Sequence, residues 1–236
     1  MPLIDSTATE QVSDELAVLR RLVPLQAQQI IELGCGAAAF SRRLLDRYPA
    51  CRVVALEVDQ TQMAANLAAP PAPGLRFIGA GAEAIPCADS RFDLALMLKS
   101  LHHVQLPLMD QALAEVRRVL RPGGQLYVSE PVFAGPLNEI NRLYNDEEAV
   151  RLAAYQALQR AVASGGWRQV AEHHFLMPSR FADFDDYERR QTSVTFAERR
   201  WSPELRERVR QRFEALRPPA GAPFLRPMRV NLLQTL

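Results

Sequence analysis

Residues 30–40 read Ile-Ile-Glu-Leu-Gly-Cys-Gly-Ala-Ala-Ala-Phe, and this stretch decides the fold. An apolar run that contains one acid leads to two glycines and then to an alanine-rich segment. That pattern predicts a buried strand, a tight turn and the start of a helix. Gly34 and Gly36 lack a Cβ, so the turn can adopt positive φ and a ligand can approach its backbone. The first N–H groups of the helix point into the same crevice, which predicts the nucleotide-binding edge of an α/β sheet.

Glu32, two residues before the first glycine, separates this turn from an ordinary dinucleotide site. Two glycines alone are weak evidence, and residues 34–39 even fit the loose dinucleotide pattern. A carboxylate beside the turn repels a pyrophosphate and attracts an ammonium group. The position of Glu32 therefore favours a ligand with a cationic end.

Apolar runs and helical patterns alternate along the rest of the chain, as in a sheet with helices on both faces. The strands are expected at residues 29–33, 52–59, 75–78, 92–98, 125–131, 167–177 and 228–233. The helices are expected at residues 13–22, 38–48, 60–67, 108–120, 184–190 and 203–216, with two more within 136–164.

Four signals between residues 30 and 131 resemble the class I S-adenosylmethionine-dependent methyltransferases of the small-molecule type. They are Glu-x-Gly-x-Gly at 32–36, the acid Glu57, Ser-Leu-His-His-Val at 100–104 and Leu-Arg-Pro-Gly-Gly at 120–124. The resemblance covers slightly under half of the chain. It implies an α/β fold with a doubly wound, mostly parallel, seven-stranded Rossmann-like sheet. It also implies one domain over residues 1–236, with a helical substrate lid at 133–166 that covers the methyl group of the cofactor.

The resemblance also implies where S-adenosylmethionine binds. Glu32 matches the acid beside the amino group of the cofactor, and Glu57 matches the acid that accepts hydrogen bonds from the ribose hydroxyls. The family usually has Asp, bonded to the adenine amino group, where this chain has Gly81. We therefore expect backbone groups near Gly81 and Ala82 to hold the adenine, or a weaker affinity for the cofactor. The full set of expected cofactor-binding residues is Glu32, Gly34, Cys35, Gly36, Glu57, Gly81, Ala82 and Leu98.

The candidate catalytic residues are His102, His103 and Tyr144. The sulfonium already makes the methyl group electrophilic, so a thiol or amine acceptor needs no base. A hydroxyl acceptor needs one of these three side chains to take its proton. We expect no metal, because adjacent histidines in a loop seldom ligate one ion and no third ligand stands at a fixed spacing. Cys35 is most simply a small side chain in the turn.

Composition excludes several classes of protein. The net charge of +1 over 236 residues argues against a nucleic-acid partner, and no long uncharged apolar run predicts a membrane span. The arginines of residues 188–217 alternate with glutamates at helical spacing, which favours salt-bridged faces over an RNA-binding surface. Three sparse cysteines and an N-terminus without a basic start indicate a reducing, cytoplasmic compartment. We expect a small-molecule acceptor, and the sequence does not determine the oligomeric state.

Two other classes of function stay open. Gly81 in place of Asp favours a catalytically idle protein of the same fold that binds a ligand or partner. The glycine turn also permits an NAD(P)-dependent oxidoreductase, although Glu32 and the Leu-Arg-Pro-Gly-Gly turn argue against it. Lys99, just past the fourth strand, has two interpretations: it neutralises an acidic substrate, or it is a solvated strand end.

Overall fold

The structure is a computed structural model that describes residues 10–193, 200–219 and 222–236. Strands and helices alternate over most of these residues. The strands are β1 (Gln29–Leu33), β2 (Arg52–Leu56), β3 (Leu75–Ile78), β4 (Phe92–Leu98), β5 (Leu120–Pro131), β6 (Trp167–Ser179) and β7 (Phe224–Thr235). The helices are α1 (Glu15–Leu22), α2 (Ala39–Arg47), α3 (Gln60–Ala68), α4 (Met109–Val119), α5 (Pro136–Asn141), α6 (Glu148–Ala163), α7 (Phe184–Thr192) and α8 (Pro203–Leu216).

The strands form one sheet in the order β3-β2-β1-β4-β5-β7-β6. β1 pairs in parallel with both β2 and β4, and β3 and β5 continue the parallel array on either side. The chain order reverses between β1 and β4. Open α/β sheets bind ligands at such a switch point, beyond the C-terminal ends of the strands.

β7 runs antiparallel to β5. The Thr235 hydroxyl donates to the Arg121 carbonyl at 2.9 Å, near the start of β5. Just past the other end of β5, the Val132 N–H donates to the Pro227 carbonyl, also at 2.9 Å. The sheet is therefore mixed but mostly parallel, and the predicted seven-stranded α/β fold is confirmed.

The contacts within the chain define two compact units. The larger unit comprises Asp14–Glu130, Leu152–His173 and Val230–Leu236. The smaller unit comprises residues 10–13, Pro131–Arg151 and the described residues of 174–229. The predicted insert at 133–166 does contain two helices, but it is divided between the units at Arg151. The single-domain organisation and the lid stay predictions.

The core of the larger unit is aliphatic. Ile31 and Leu33 of β1 and Met97 of β4 are buried with Leu113 and Val116 of α4. β1 and β4 are apolar at nearly every position, as is typical of central parallel strands with both faces covered. Each fully buried side chain of this size stabilises the fold by about 1.5–3 kcal/mol. This packing fixes the C-terminal ends of β1 and β4.

The smaller unit has an aromatic core of its own. Tyr187, Phe213 and Phe224 are buried, and α8 contributes Val209 and Phe213, which lie one turn apart. The ring centroids of Phe213 and Phe224 are 5.5 Å apart, within the range for favourable aromatic pairs. This cluster holds α7, α8 and the start of β7 together.

The predicted start of β5 at residue 125 is wrong, because the strand begins at Leu120. Phe92 pairs with Leu120 and Leu94 pairs with Gln125, so residues 121–124 bulge out of the ladder. Gly123 has a φ of +75°, a conformation that glycine adopts without strain. The Pro-Gly-Gly segment therefore interrupts a strand instead of preceding it.

The arginine-rich helices α7 and α8 carry ion pairs, as their spacing indicates. Arg206 contacts Glu188 at 2.8 Å, and Arg210 contacts Glu207 at 2.9 Å. Among the residues that the structure describes, no helix is both long enough and apolar enough to cross a bilayer.

Candidate functional site

The glycine turn follows β1 in the larger unit, at the switch point of the sheet. Gly34, Gly36 and Ala38 have φ values of +70°, +53° and +52°. The N–H groups of Gly34 and Cys35 donate to the Leu56 carbonyl at 3.0 and 2.9 Å. These bonds tie the turn to the end of β2, so its unusual backbone conformation is held in place.

The two glycines serve different purposes. A Cβ on Gly34 would lie 2.8 Å from Cβ of Ser100, whereas a Cβ on Gly36 would meet nothing within 4 Å. The Ser100 hydroxyl also donates to the Leu33 carbonyl at 2.7 Å. Gly34 is therefore required for packing against the loop after β4. Gly36 leaves open space in which a ligand can lie.

Glu57, immediately after β2, helps to build the turn. Its Oε2 accepts the Gly36 N–H at 2.7 Å, and its Oε1 accepts the N–H groups of Val58 and Asp59 at 2.9 Å. Each carboxylate oxygen accepts about two hydrogen bonds, so Oε2 retains room for one more. A ribose contact through Oε2 is compatible with this arrangement and stays a prediction.

A cleft of about 430 Å³ opens beside Glu57. Its lining residues are Glu57, Val58, Gln60, Met63, Ala64, Leu67, Gly79 and Ala80. Val58 and Leu67 are each 67% exposed, so the cleft presents apolar side chains to solvent. An apolar cleft with one carboxylate at its edge suits a flat base attached to a sugar.

Glu32 is the buried acid of the turn, with only 2% of its surface exposed. The Ser41 hydroxyl donates to Oε2, and the backbone N–H of Ser41 also bonds to the carboxylate. Burial raises the pKa of Glu32 to about 7, although the bond from Ser41 and the charge of Lys99 oppose the rise. A cation beside the carboxylate would stabilise its ionised form and lower this pKa.

Lys99 is paired with an acid of its own chain, and its role toward a substrate stays a prediction. Its Nζ lies 2.7 Å from Oε2 of Glu15, an acid on α1 that is 4% exposed. Lys99 therefore neutralises a buried acid of its own chain. Its position just past β4 is held by the bond from its N–H to the Ser129 carbonyl at 2.7 Å and by a positive φ of +59°.

The carboxylate of Glu83 lies where the side chain of an aspartate at position 81 would begin. A Cβ built on Gly81 would collide with both carboxylate oxygens of Glu83. An acidic group is therefore present where the family has one, although it comes from a residue two positions later. Sequence reasoning missed Glu83, since the rotamer that brings its carboxylate back over Gly81 has no local signature.

His102 and Glu130 form a buried pair in the larger unit, where they are 5% and 4% exposed. His102 Nδ1 is hydrogen-bonded to Oε2 of Glu130, and the other carboxylate oxygen accepts the Leu101 N–H at 2.9 Å. This bond assigns the imidazole proton to Nδ1 and the lone pair to Nε2. Glu130 therefore orients His102.

His103 and Tyr144 have different surroundings. His103 is exposed, and its ring centroid lies 4.1 Å from that of His102. Tyr144 belongs to the smaller unit, where its hydroxyl bonds to Asn141 at 3.0 Å and to Tyr187 at 2.9 Å. Their roles as bases stay predictions.

Cys35 is a packing residue. Its side chain is buried against Ala38 and Ala55, and burial, followed by the charges of Glu32 and Glu57, raises the pKa of its thiol to about 12. Such a thiol is inert at neutral pH. The backbone N–H of Cys35 already donates to the Leu56 carbonyl, so it is not free to bind the cofactor. The cofactor contact of Cys35 stays a prediction.

The remaining predicted cofactor residues, Ala82 and Leu98, are each 8% exposed and lie in the larger unit. Asn66 on α3 was missed: it is buried, and its Nδ2 donates to the Gly36 carbonyl at 2.7 Å. It lies 30 residues from the turn in sequence, and nothing in the pattern of α3 distinguishes it.

Comparison with known proteins agrees with this geometry. Residues 31–128 match the methyltransferase domain family. The ubiquinone/menaquinone biosynthesis C-methyltransferase of Paracoccus denitrificans is 33% identical over 119 residues, which cover 48% of this chain and 46% of that protein. The matches to the first curated relatives cover less than half of each relative's length.

Solved structures share the fold over most of the chain. The cyclase SpnF has a TM-score of 0.64 at 20% identity and covers 93% of this chain and 79% of its own. An S-adenosylmethionine-dependent methyltransferase of Methanosarcina mazei has a TM-score of 0.58 at 15% identity and covers 93% and 97%. Residues 31–128 therefore match the methyltransferase domain family in sequence, and the fold agrees with that of solved methyltransferase structures.

Proposed function

We propose that this protein transfers the methyl group of S-adenosylmethionine to a small-molecule acceptor. One observation carries the proposal: the Glu32 carboxylate is buried at the glycine turn, and its burial raises its pKa to about 7. An isolated acid in a low-dielectric site is costly unless a cation joins it. The amino group of the cofactor supplies that cation, whereas the pyrophosphate of a dinucleotide would be repelled.

The cofactor has a place for each of its parts. Glu32 would hold the ammonium group, and Oε2 of Glu57 would accept a ribose hydroxyl. The cleft beside Val58 and Ala80 would hold the adenine. When bound, the cofactor supplies an electrophilic methyl group. The protein then has to position the nucleophile in line with that group and exclude water.

His102 is the residue best arranged to accept a proton from a hydroxyl acceptor. Glu130 holds Nδ1, so the lone pair of Nε2 is the basic site. An imidazolium that forms on proton transfer would be stabilised by the adjacent carboxylate, as in other oriented histidine bases. Thiol and amine acceptors would not require this pair.

We propose small metabolites as the acceptors, with no nucleic-acid or membrane partner. We also propose a cytoplasmic location. All three cysteines are free thiols, which supports a reducing compartment.

Methyl transfer can be tested without knowing the acceptor. The protein is incubated with S-adenosylmethionine labelled on its methyl group and with a fractionated metabolite extract. Labelled small molecules that form only with active protein support the proposal. If adenosylhomocysteine binds but no fraction is labelled, the idle alternative is favoured; if NADH binds instead, the oxidoreductase alternative is favoured.

The His102→Asn variant tests the base. With a hydroxyl acceptor, we expect turnover to fall about 100-fold, because a positioned base contributes 10²- to 10⁴-fold. With a thiol or amine acceptor, turnover should hardly change. His103→Asn is the matched control, since that ring is exposed. Equal losses in the two variants would contradict the assignment of the base to His102.

The Glu83→Gln variant tests the acid beside Gly81. We expect wild-type protein to bind adenosylhomocysteine about 10-fold more tightly than the inosine analogue, which presents a carbonyl where adenine has its amino group. The variant should lose most of this preference, because an amide can donate to a carbonyl. Asp46→Asn is the control, since Asp46 is exposed on α2. A preference that survives in Glu83→Gln would mean that other groups hold the adenine.

A further inference from the structure

The smaller unit contains a polar cluster around Arg151. Its Nη1 donates to Oδ1 of Asn138 at 3.1 Å, and its Nη2 contacts Oε2 of Glu147. The other oxygen of Glu147 accepts from Nδ2 of Asn145 at 2.7 Å. Both oxygens of the carboxylate nearest to Arg151 are therefore engaged.

Two buried donors of this cluster have no acceptor. Asn138 is 8% exposed, and its Nδ2 makes no hydrogen bond; Nε of Arg151 is likewise buried without a partner. The orientation of the Asn138 amide is fixed, because its oxygen accepts from Arg151. Buried donors are almost always satisfied in folded proteins, so a pair of unsatisfied donors at one place indicates a missing acceptor.

A second guanidinium belongs to the same cluster. Arg226 lies on β7, where the Val132 N–H donates to the carbonyl of the next residue, Pro227, at 2.9 Å. Phe133 follows Val132, and its ring centroid lies 5.9 Å from Cζ of Arg151. The backbone thus brings Arg226 alongside the segment on which Arg151 rests.

Arg226 makes no hydrogen bond or ion pair with any residue that the structure describes, and it is half-buried. Burial, and after it the positive charge of Arg151, lowers the pKa of the Arg226 guanidinium. The nearby Tyr144 and Tyr187 hydroxyls donate to Oδ1 of Asn141 and are neutral, so they do not balance the charge of Arg226. Two cations therefore share one engaged acid, Glu147.

We propose that Arg226, Arg151 and Asn138 form an anion-binding site for a carboxylate or phosphate group of the methyl acceptor. A guanidinium presents paired N–H groups that match the oxygens of such an anion. An anion between these residues would satisfy Nε of Arg151 and Nδ2 of Asn138 and would neutralise Arg226. The inference rests on the proposed function only in assigning the anion to the acceptor.

Anion titrations of the full chain test the site. At constant ionic strength set with chloride, butyrate and phosphate should each raise the melting temperature of the wild-type protein, and butyramide should not. Arg226→Met and Asn138→Asp should abolish the rise. In Asn138→Asp, one oxygen still accepts from Arg151 while the other repels an anion. Arg210→Met is the matched control, because Arg210 is exposed and pairs only with Glu207 among the described residues.

The melting temperature in chloride alone separates a binding role from a structural one. Removing a guanidinium that has no partner should leave the melting temperature of Arg226→Met unchanged or raise it. A clear fall, or a failure of this variant to fold, would show that Arg226 stabilises the unit and would overturn the proposal. An equal anion effect in wild type and Arg226→Met would overturn it as well.

Two further comparisons identify the source of the anion and keep the two proposals distinct. Tighter binding of butyl phosphate than of inorganic phosphate supports an anionic group carried by an organic acceptor; tighter binding of inorganic phosphate overturns that assignment in favour of a free inorganic anion. Adenosylhomocysteine affinity is measured on the same samples. If the cofactor product binds and no anion does, this inference fails alone; if anions bind and adenosylhomocysteine does not, the proposed function fails.

Discussion

Replacing Glu32 by Gln is expected to weaken adenosylhomocysteine binding about 100-fold at pH 8. The buried carboxylate is the proposed partner of the ammonium group, and leaving one member of a buried ion pair alone costs about 3 kcal/mol or more. Each 1.4 kcal/mol is tenfold in affinity, which gives about two orders of magnitude. Calorimetric titration measures the change, and Asp46→Asn, an exposed acid on α2, should bind like wild type.

The same variant should be more stable than wild type when no ligand is bound. The pKa of Glu32 is about 7 in the folded state and 4.5 in the unfolded chain, so the folded state binds more protons between these values. Its contribution to the free energy of unfolding is therefore full below about pH 4.5 and is lost as the pH rises to about 7, by roughly 3 kcal/mol in all. Glu32→Gln abolishes this loss.

Urea denaturation at pH 5 and pH 8 tests that expectation. The free energy of unfolding of wild type, relative to that of Glu32→Gln, should fall by about 2.5 kcal/mol between the two pH values. A constant difference would show that Glu32 is ionised at both pH values. Unchanged binding together with a less stable variant would contradict the proposed role of Glu32.

Alanine at Gly34 should mainly lower the stability of the protein, whereas alanine at Gly36 should mainly weaken cofactor binding. Gly34→Ala should destabilise the protein by about 3 kcal/mol, because its Cβ would lie 2.8 Å from Cβ of Ser100 at a positive φ. Gly36→Ala should cost only about 1–2 kcal/mol of backbone strain, since no atom lies within 4 Å of its Cβ. Its methyl group would instead occupy the space proposed for the cofactor.

Denaturation and calorimetry together separate the two glycines. We expect Gly36→Ala to weaken adenosylhomocysteine binding at least about 10-fold while remaining folded at 25 °C. The Ser100→Gly change should restore part of the stability lost in Gly34→Ala, because it removes the clashing atom. If Gly36→Ala binds like wild type, the open space beside the turn is not the cofactor site.

Sequence reasoning predicted the features that depend on neighbouring residues. The apolar runs of β1 and β4 and the helical period of α8 determine those elements locally, and α8 matches its predicted bounds of 203–216. Glu32 and Gly34 could be interpreted from sequence because acid and turn are adjacent in the chain. Glu57 was found because the length of one strand-helix-strand unit places it beside the turn.

The features that sequence reasoning missed depend on residues far apart in the chain. Lys99 and Glu15 are 84 positions apart, and His102 and Glu130 are 28 positions apart. Such pairs form because the fold brings distant segments of the chain together, as β4 pairs with β5, and no local pattern specifies this. Arg226 is a similar case: an arginine in a strand carries no signal that its guanidinium will lack a partner.

The central claim is that the Glu32 carboxylate receives the ammonium group of the cofactor, and proton release on binding tests it most directly. Adenosylhomocysteine is titrated calorimetrically at pH 6.5 in two buffers of different ionisation enthalpy. With a pKa of about 7, Glu32 is mostly protonated in the free protein and must ionise to pair with the ammonium. We expect one-to-one binding with release of roughly 0.7 of a proton, a release that Glu32→Gln abolishes. Absence of binding, or binding without proton release in the wild-type protein, would contradict the account.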